Sequence, residues 1–521
     1  MPTTVENNKR IAKNTMYMYL RMGITMLVSL YTSRVVLSNL GISDFGIYNV
    51  VGSFVAAFSF ISGPLSGATQ RFYNYELGQN NFKQVNVLFN MSFIIYLVLA
   101  IVLFLVIQFA GLWFINNKMS LPPERIGAAL FVFEFSLASF VFNLLKTPFD
   151  SLIIANEKMS FYAWMSIIDV TLKLGNAFSL ILFNGDKLEL FAVNVLVINF
   201  IVVACAVFYC LRKFVYIRFL HFRSFWNKQT FNSLFSFSAW SLFGSVATMT
   251  ATQGLNLLLN LFYGVLVNAA MGVANQVNNA VTQFVNSFQV AFRPQIVKYY
   301  ASNQINELKE LILRTSKVSY ILLFWLLCPL WFNIHYILDL WLGKANVPDY
   351  AAPFCVLMTL YVLQESIQAP LFNTIQATGK IKRYQIIISA AIFLNIVVSY
   401  FFLKMGFNPT SVLIIKCCLD FIYLIIRLVF VNKMIGFSIR SFVNGVFVPL
   451  CLITIVSVFL MFVLTSVIES QLINLIVSLF VFLTIYPLLV FYVGLNNHER
   501  TVVLNKIKSK YEDFICRRQS K

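Results

Sequence analysis

Charged residues are scarce in this 521-residue sequence, where Asp, Glu, Lys and Arg together make up 11%. Soluble domains carry about a quarter charged residues, so the composition excludes a soluble protein. Acidic residues are fewer than basic ones, with 20 Asp and Glu against 39 Lys and Arg. The three histidines are scattered, and the eight cysteines lie almost wholly in apolar runs without metal-ligand spacing. We therefore expect reduced, buried thiols and neither a metal nor a cofactor.

Features of an enzyme are missing as well. The predicted loops reach about 20 residues at most, too short for a catalytic domain. The chain has no Asp-x-Asp, HExxH or P-loop motif, the patterns that supply metal, acid–base or phosphate chemistry. We expect no enzymatic activity, and a membrane glycan polymerase or ligase is the least favoured class of function.

What the sequence does contain is long apolar runs. Hydrophobic residues make up 59% of it, and the mean hydropathy is +0.78. Runs of about 20 apolar residues match a hydrocarbon core of about 30 Å, so we predict an all-α polytopic membrane protein with about 14 transmembrane helices. The predicted spans, numbered 1 to 14, are 13–37, 45–76, 84–114, 125–147, 159–183, 188–211, 231–260, 265–297, 306–335, 350–376, 382–403, 410–432, 442–466 and 471–494.

Lys and Arg are unevenly distributed among the short loops. With both termini inside, thirty of the 39 lie in cytoplasmic segments or at the cytoplasmic ends of spans, five lie on the outer side, and four lie deeper within spans. This asymmetry predicts a multi-pass protein with both termini cytoplasmic. It also explains the net charge of +19 through attraction to anionic membrane lipids, and no nucleic acid partner is expected.

Two pairs of segments match across half the chain. TPFDSLIIANEKMSFY (147–162) aligns with APLFNTIQATGKIKRY (369–384) at an offset of 222, and GIYN from Gly46 aligns with GVAN from Gly272 at an offset of 226. Similar offsets at two places predict a six-helix repeat. Transporters built from repeats bind their substrate between them.

The repeat divides the chain into five predicted segments. These are an N-terminal six-helix lobe (1–213), a cytoplasmic linker (214–230), a C-terminal six-helix lobe (231–433), two additional transmembrane helices (434–496) and a basic cytoplasmic tail (497–521).

The chain resembles the MOP exporter superfamily in four features. These are LGISDFGIYNVVGSF after span 1, RFYNYELGQNNFKQVN after span 2, the repeat and the 12+2 helix count. Within this superfamily, the chain is most similar to the Wzx-type polysaccharide flippases of O-antigen and lipopolysaccharide synthesis. The resemblance covers essentially the whole chain. It implies a V-shaped pair of lobes around a cavity lined mainly by spans 1, 2, 7 and 8.

The same resemblance implies a function. The protein would carry an undecaprenyl-diphosphate-linked oligosaccharide, the repeat unit of an O-antigen, capsule or exopolysaccharide, across the bacterial inner membrane by alternating access. Other glycan-assembly membrane proteins would be its partners. The alternative is a multidrug or small-molecule exporter of the MATE type on the same fold.

Span 8 is unusually rich in amides. At 100° per residue, seven of its polar residues fall within an arc of about 80°: Asn268, Asn275, Asn279, Thr282, Asn286, Gln289 and Arg293. Amides facing lipid would cost several kcal/mol each, so the stripe predicts the wall of a wet cavity and suits sugar hydroxyls. A Ser/Thr stripe in span 7 is equally well explained by close packing between membrane helices.

The predicted substrate-binding residues come from spans 1, 2, 7 and 8. They are Arg21, Arg34, Asn49, Arg71, Asn256, Asn275, Asn279, Gln283, Asn286, Gln289 and Arg293. Guanidinium groups bind phosphate oxygens in bidentate fashion. We therefore expect Arg21 and Arg293 to attract the diphosphate at the cytoplasmic mouth, with Arg34 toward the outer side. Alternatively, Arg21 snorkels to the inner interface, and Arg34 snorkels outward.

Four buried acids are candidates for coupling transport to H⁺ or Na⁺. They are Glu134, Glu365, Asp169 and Asp420. Asp169 and Lys173, like Lys416 and Asp420, are four residues apart on a helix, so each pair can form internally. For Glu134 and Glu365, the alternative is a satisfied internal hydrogen bond.

Overall fold

The computed structural model describes residues 4–117, 123–344, 347–468, 470–494 and 500–501. Every regular element in these ranges is helical, which confirms the all-α fold class. The α-helices are α1 Thr4–Ala56, α2 Ser62–Gly78, α3 Phe82–Asn117, α4 Ile126–Ala155, α5 Met159–Leu182, α6 Lys187–Lys213, α7 Phe222–Phe225, α8 Lys228–Ala301, α9 Ile305–Phe332, α10 Ile334–Leu342, α11 Ala351–Thr378, α12 Lys382–Lys404, α13 Ser411–Ile435, α14 Ile439–Phe442, α15 Val448–Val467 and α16 Gln471–Leu489. Shorter 3₁₀ and π turns lie at Ala57–Ile61, Pro123–Arg125, Val443–Phe447 and Val490–Gly494.

Twelve helical segments in the described ranges are long and apolar enough to cross a membrane, so the chain is a multi-pass membrane protein. The two other predicted spans, 265–297 and 410–432, are also helical, as parts of α8 and α13. The amides of the first lower its hydropathy, and α13, which contains the second, carries four charged residues, Lys416, Asp420, Arg427 and Lys433. The predicted count of 14 is therefore approximate.

The two longest helices each change direction at a glycine. Gly41 in α1 has φ 78° and ψ 171°, and Gly264 in α8 has φ 75° and ψ −165°. This backbone region is essentially restricted to glycine. The two glycines lie 223 residues apart, between the offsets of 222 and 226 in the sequence. The spacing of the two kinks agrees with the repeat predicted from the sequence, which stays a prediction.

The chain divides into two compact units. Unit 1 comprises Met1–Thr252, Asn286–Leu308 and Phe372–Phe393, and unit 2 comprises Gln253–Val285, Lys309–Leu371 and Leu394–Lys521. The predicted segment boundaries follow sequence order and stay a prediction. The predicted tail lies outside the described residues apart from 500–501.

Each unit has its own apolar core. In unit 1, α1, α3, α4 and α6 bury a cluster that includes Val51, Ile107 and Phe133. In unit 2, α8, α10, α11 and α13 bury a cluster that includes Leu259 and Phe354. These cores fix the helices on which the polar sites below are carried.

Candidate functional site

A charged cluster lies within the helices of unit 1. The guanidinium carbon of Arg21 on α1 lies 5.3 Å from the ring centroid of Tyr162 on α5. On α4, the Nζ of Lys146 lies 3.2 Å from the Oδ2 of Asp150. Tyr162 is within electrostatic reach of all three charges. Two cations and one acid give this cluster, which we call the unit 1 charge cluster, a net positive charge.

Arg21 keeps an unused donor in this cluster. Its Nε is buried and has no hydrogen-bond partner among the described residues. A buried donor without a partner is costly, so a bound group with acceptor oxygens would be favoured there. Arg34, by contrast, lies exposed further along α1.

Lys146 and Asp150 are absent from the predicted site. The predicted span 4 ends at residue 147, whereas α4 continues to Ala155. Lys146 therefore lies at the predicted helix end, and Asp150 falls outside the predicted span. Their four-residue spacing on either side of Pro148 is the signal that could have revealed the pair.

Arg71 on α2 is held by several partners within unit 1. Its Nε and Nη2 donate to the carbonyl oxygen of Ala377 at 3.3 and 3.1 Å. Its guanidinium carbon lies 4.7, 5.2 and 5.5 Å from the ring centroids of Phe72, Tyr75 and Phe237. These contacts occupy two donors and the faces of the guanidinium. Arg71 thus joins α2 to the end of α11.

Arg293, the last residue of the polar stripe, also has a partner in unit 1. Its Nη2 donates to the Oε1 of Gln376 at 2.7 Å. A Cβ atom on Gly67 would lie 2.8 Å from the same nitrogen. The glycine in α2 therefore leaves the space that the guanidinium fills. The structure gives Arg21 and Arg293 separate partners.

The amide stripe runs along one continuous helix, the part of α8 after Gly264. Asn279, Gln283 and Asn286 are exposed, whereas Asn275 and Gln289 are half-buried. Exposed amides on this helix agree with a polar wall, but their role in binding stays a prediction.

The two remaining amide candidates lie elsewhere on α1 and α8. Asn256 donates to the Oε1 of Gln253 at 3.0 Å, and its own Oδ1 is buried without a partner among the described residues. Asn49 donates to the carbonyl of Phe45 at 2.7 Å within α1.

Unit 2 contains a second buried charged cluster, between α11 and α13. Asp420 is fully buried, and its Oδ2 accepts a hydrogen bond from the Nε2 of Gln368 at 2.5 Å. The Oε1 of Gln368 accepts from the Nη1 of Arg427 at 3.0 Å. The Nζ of Lys416 lies 4.0 Å from the ring centroid of Tyr361. Gln368 thus bridges the carboxylate of Asp420 and the guanidinium of Arg427 by hydrogen bonds.

One of the two predicted Asp–Lys ion pairs is present in the structure. Asp169 and Lys173 form the expected ion pair, at 2.8 Å. Lys416 and Asp420 do not pair, because Asp420 is engaged by Gln368 and Lys416 packs on Tyr361.

The two lone acids differ from each other. Glu134 accepts a hydrogen bond from Gln108 at 2.5 Å, whereas Glu365 has no hydrogen bond in the described ranges. In the same ranges, no group of three or more His, Cys, Asp and Glu side chains could hold a metal ion.

A third charged group lies at the opposite end of α4 from the 156–158 turn. Arg125 donates to Asp44 from Nε at 2.9 Å and from Nη2, and from Nη1 to Asp186 at 2.6 Å. Asp186 also caps α6, accepting from the N–H groups of Leu188 and Glu189 at 3.0 and 3.3 Å.

The contacts of this group shift two pKa values. The hydrogen bonds to Asp44 raise the pKa of Arg125 above its ordinary value. Burial by itself would raise the pKa of Asp186, but the hydrogen bonds from Arg125 and the α6 N–H groups outweigh burial and hold it below its ordinary value. The group is an electrostatic tie between α1, α4 and α6.

Known proteins resemble this chain mainly in fold. The MatE family model matches residues 241–401, under a third of the chain. No curated protein matches the sequence. A crystal structure of MATE in the straight conformation has a TM-score of 0.68 at 14% identity, and an outward-facing multidrug resistance MATE family transporter of the MOP superfamily has 0.68 at 12%. A MOP superfamily transporter from Pyrococcus furiosus has 0.68 at 13%, and its binding pocket is described as having reverse polarity that suggests a different function.

Each of these three matches covers 82% of this chain and 96% of the matched chain. At such low identity, the likeness shows the fold alone. The chain therefore has the MATE-type fold.

Proposed function

We propose that this protein exports a small organic solute across a bacterial inner membrane by alternating access, and that the solute carries negative charge. The MATE-type fold supports the first part. The single observation that supports the second is the unit 1 charge cluster, whose net charge is positive and whose Arg21 Nε lacks a partner among the described residues.

The chemistry of the cluster favours an anion over a cation. A carboxylate or phosphate of the solute can accept from Arg21 and be attracted by Lys146. Asp150, the acid of this cluster, is already paired with Lys146 at 3.2 Å. To bind an organic cation at this cluster, the protein would need a carboxylate there without such a partner, so the MATE-type alternative is kept here with the opposite substrate charge.

A lipid-linked oligosaccharide is the second candidate substrate, and the amide stripe of α8 is the observation that favours it. Asn279, Gln283 and Asn286 are exposed on the helix that also carries Arg293. Amides can donate to and accept from sugar hydroxyls, while arginines bind diphosphate. In this version the protein is a Wzx-type flippase, with anionic lipids and glycan-assembly membrane proteins as partners.

We further propose that unit 2 supplies the coupling ion site. Asp420 is fully buried and its Oδ1 has no partner among the described residues, while Glu365 lacks a hydrogen bond there. An acid in this state can take up and release a proton or a cation during the transport cycle. Asp169 and Glu134 are weaker candidates because each already has a partner.

Deletion of the gene in its native host separates the two substrates. The deletion strain is complemented with the wild type, with Arg21→Gln or with Lys173→Gln, at matched protein abundance. Lys173→Gln is the control, since it removes a cation from a helix of unit 1 without touching the charge cluster. Soluble metabolites and lipid-linked saccharides are then extracted and measured by mass spectrometry.

The proposal predicts that the deletion and Arg21→Gln strains retain a soluble anionic compound that the wild type and Lys173→Gln export. Accumulation of a lipid-linked oligosaccharide instead would favour the flippase and overturn the small-solute proposal. If neither fraction changes, both substrate assignments are wrong.

A further inference from the structure

Four turns at one end of the helices share an unusual backbone. Asn80, Glu157 and Asn303 have φ of 58°, 57° and 57°, and Gly379 has φ 77°. Asn80 and Asn303 are 223 residues apart, and Glu157 and Gly379 are 222 apart, so they form two repeat-equivalent pairs. We call this end of the helices, which the Lys and Arg distribution predicts to be cytoplasmic, the basic side.

Glu157 is the exception among these residues. The second repeat places glycine at the equivalent position, whereas Glu157 adopts a left-handed conformation that costs an L-residue about 1–2 kcal/mol. Such strain persists when surrounding contacts hold it, and strained residues are concentrated at functional positions. The side chain of Glu157 is 2% exposed although it belongs to a turn.

The carboxylate of Glu157 is bound from three directions. Its Oε1 accepts from the Nζ of Lys298 at 2.5 Å, and its Oε2 accepts from the Nε2 of Gln295 at 2.7 Å. The Nε of Arg10 lies 2.6 Å from Oε2. Arg10 belongs to the first repeat, but Gln295 and Lys298 belong to the second. One buried carboxylate therefore joins the turn between α4 and α5 of the first repeat to the α8 end of the second.

The reverse connection is present as well. Arg71 on α2 of the first repeat donates to Ala377 and fills the space beside Gly379, where a Cβ atom would lie 2.5 Å from its Nη2. In a further contact, Gly78 packs on Ala301, its equivalent at an offset of 223, and a Cβ on Gly78 would lie 2.9 Å from that of Ala301. The two repeats thus hold each other by reciprocal contacts, all within unit 1.

We propose that Glu157 is a latch that holds the two repeats together on the basic side and is released each time that side opens. The proposal rests on the proposed alternating access, and it assigns a residue to one half of that cycle. An ion pair suits the role because its charges attract one another strongly when dry, yet each is well hydrated once separated. Purely apolar contacts would have no such compensation on opening.

The test measures access to the contact between α2 and α8. A reporter, Ala301→Cys, is placed in a background in which the exposed Cys205 and Cys418 are replaced by serine. Purified protein in nanodiscs is labelled with a charged maleimide, with Glu157→Gln and Glu157→Gly as test variants. Glu76→Gln is the matched control, because Glu76 lies on the same side and its carboxylate accepts, among the described residues, a hydrogen bond from Asn81 alone.

We expect labelling of the reporter to be about tenfold faster in Glu157→Gln, since a charge-assisted hydrogen-bond set is lost, and unchanged in Glu76→Gln. Glu157→Gly should behave likewise while folding readily, because glycine relieves the left-handed backbone. This second variant keeps the test valid if Glu157→Gln fails to fold. Unchanged labelling in Glu157→Gly would overturn the latch. The assay needs no solute, so faster labelling in a protein that exports nothing would overturn only the proposed function.

Discussion

The balance of charges in the unit 2 cluster allows the loss of stability in an Asp420 variant to be predicted. Glu365, Lys416 and Arg427 all lie within electrostatic reach of Asp420, and the four side chains carry no net charge when each is in its ordinary ionised form. Asp420→Asn removes one negative charge from a fully buried site and leaves the cations in excess. Because removing one partner of a buried ion group costs about 3–5 kcal/mol, the variant should be strongly destabilised. Lys416→Met in the same protein restores neutrality, so the double variant should recover about 2 kcal/mol relative to the sum of the single changes.

The assay for this prediction uses the protein's own thiols. Cys355 and Cys417 are buried in unit 2, so a thiol-reactive fluorophore reports unfolding as they become accessible. With an unfolding entropy of about 2.1 cal/mol/K per residue and a cooperative unit of about 200 residues, Asp420→Asn should lower the midpoint by about 7–12 °C. A midpoint equal to that of the wild type would mean that Asp420 carries no charge in the folded protein, and the charge-balance reasoning would be refuted.

Three further predictions concern unit 1. Arg125→Gln should lower the melting midpoint at neutral pH and make the midpoint decline less steeply in acid. The depressed pKa of Asp186 stabilises the folded protein fully above the pKa of the unfolded-state carboxyl, and this stability is lost as the pH falls through the pKa of the folded-state carboxyl. Parallel midpoint curves for the variant and the wild type from about pH 7 to about pH 3.5 would contradict this. Gly78→Val should cost about 1–3 kcal/mol by overpacking against Ala301, measured as a midpoint shift, whereas Gly127→Val has open space and should cost far less; equal shifts would argue against the close contact. Gly379→Ala should lower the midpoint more than Gly406→Ala, because both have positive φ but only Gly379 faces Arg71; a larger effect at Gly406 would exclude the Arg71 contact as the cause.

The elements that follow local rules could be predicted from the sequence. Apolar runs located the helices, and the repeat offsets agree with the paired kinks at Gly41 and Gly264. The ion pair between Asp169 and Lys173 obeys the four-residue rule. These signals lie within a few turns of one helix or recur along the chain.

Contacts between distant segments could not be predicted in this way. Lys416 and Asp420 obey the same spacing, yet Asp420 takes its hydrogen bond from Gln368, 52 residues away. Glu157 and Lys298 are 141 residues apart, and neither looks unusual among the charged residues of loops and helix ends. Which partner a polar group takes depends on packing between helices, and a single sequence carries little information about it.

Transport by the reconstituted protein tests most directly whether an anionic solute is exported through a site that includes Arg21. The compound retained by the deletion strain is loaded into proteoliposomes, and its efflux is followed for the wild type, Arg21→Gln and Lys173→Gln. We expect efflux for the wild type and Lys173→Gln and a loss of at least about tenfold for Arg21→Gln, because a charge-assisted contact is removed. Efflux by Arg21→Gln at the wild-type rate, or efflux no faster than from protein-free liposomes, would contradict it.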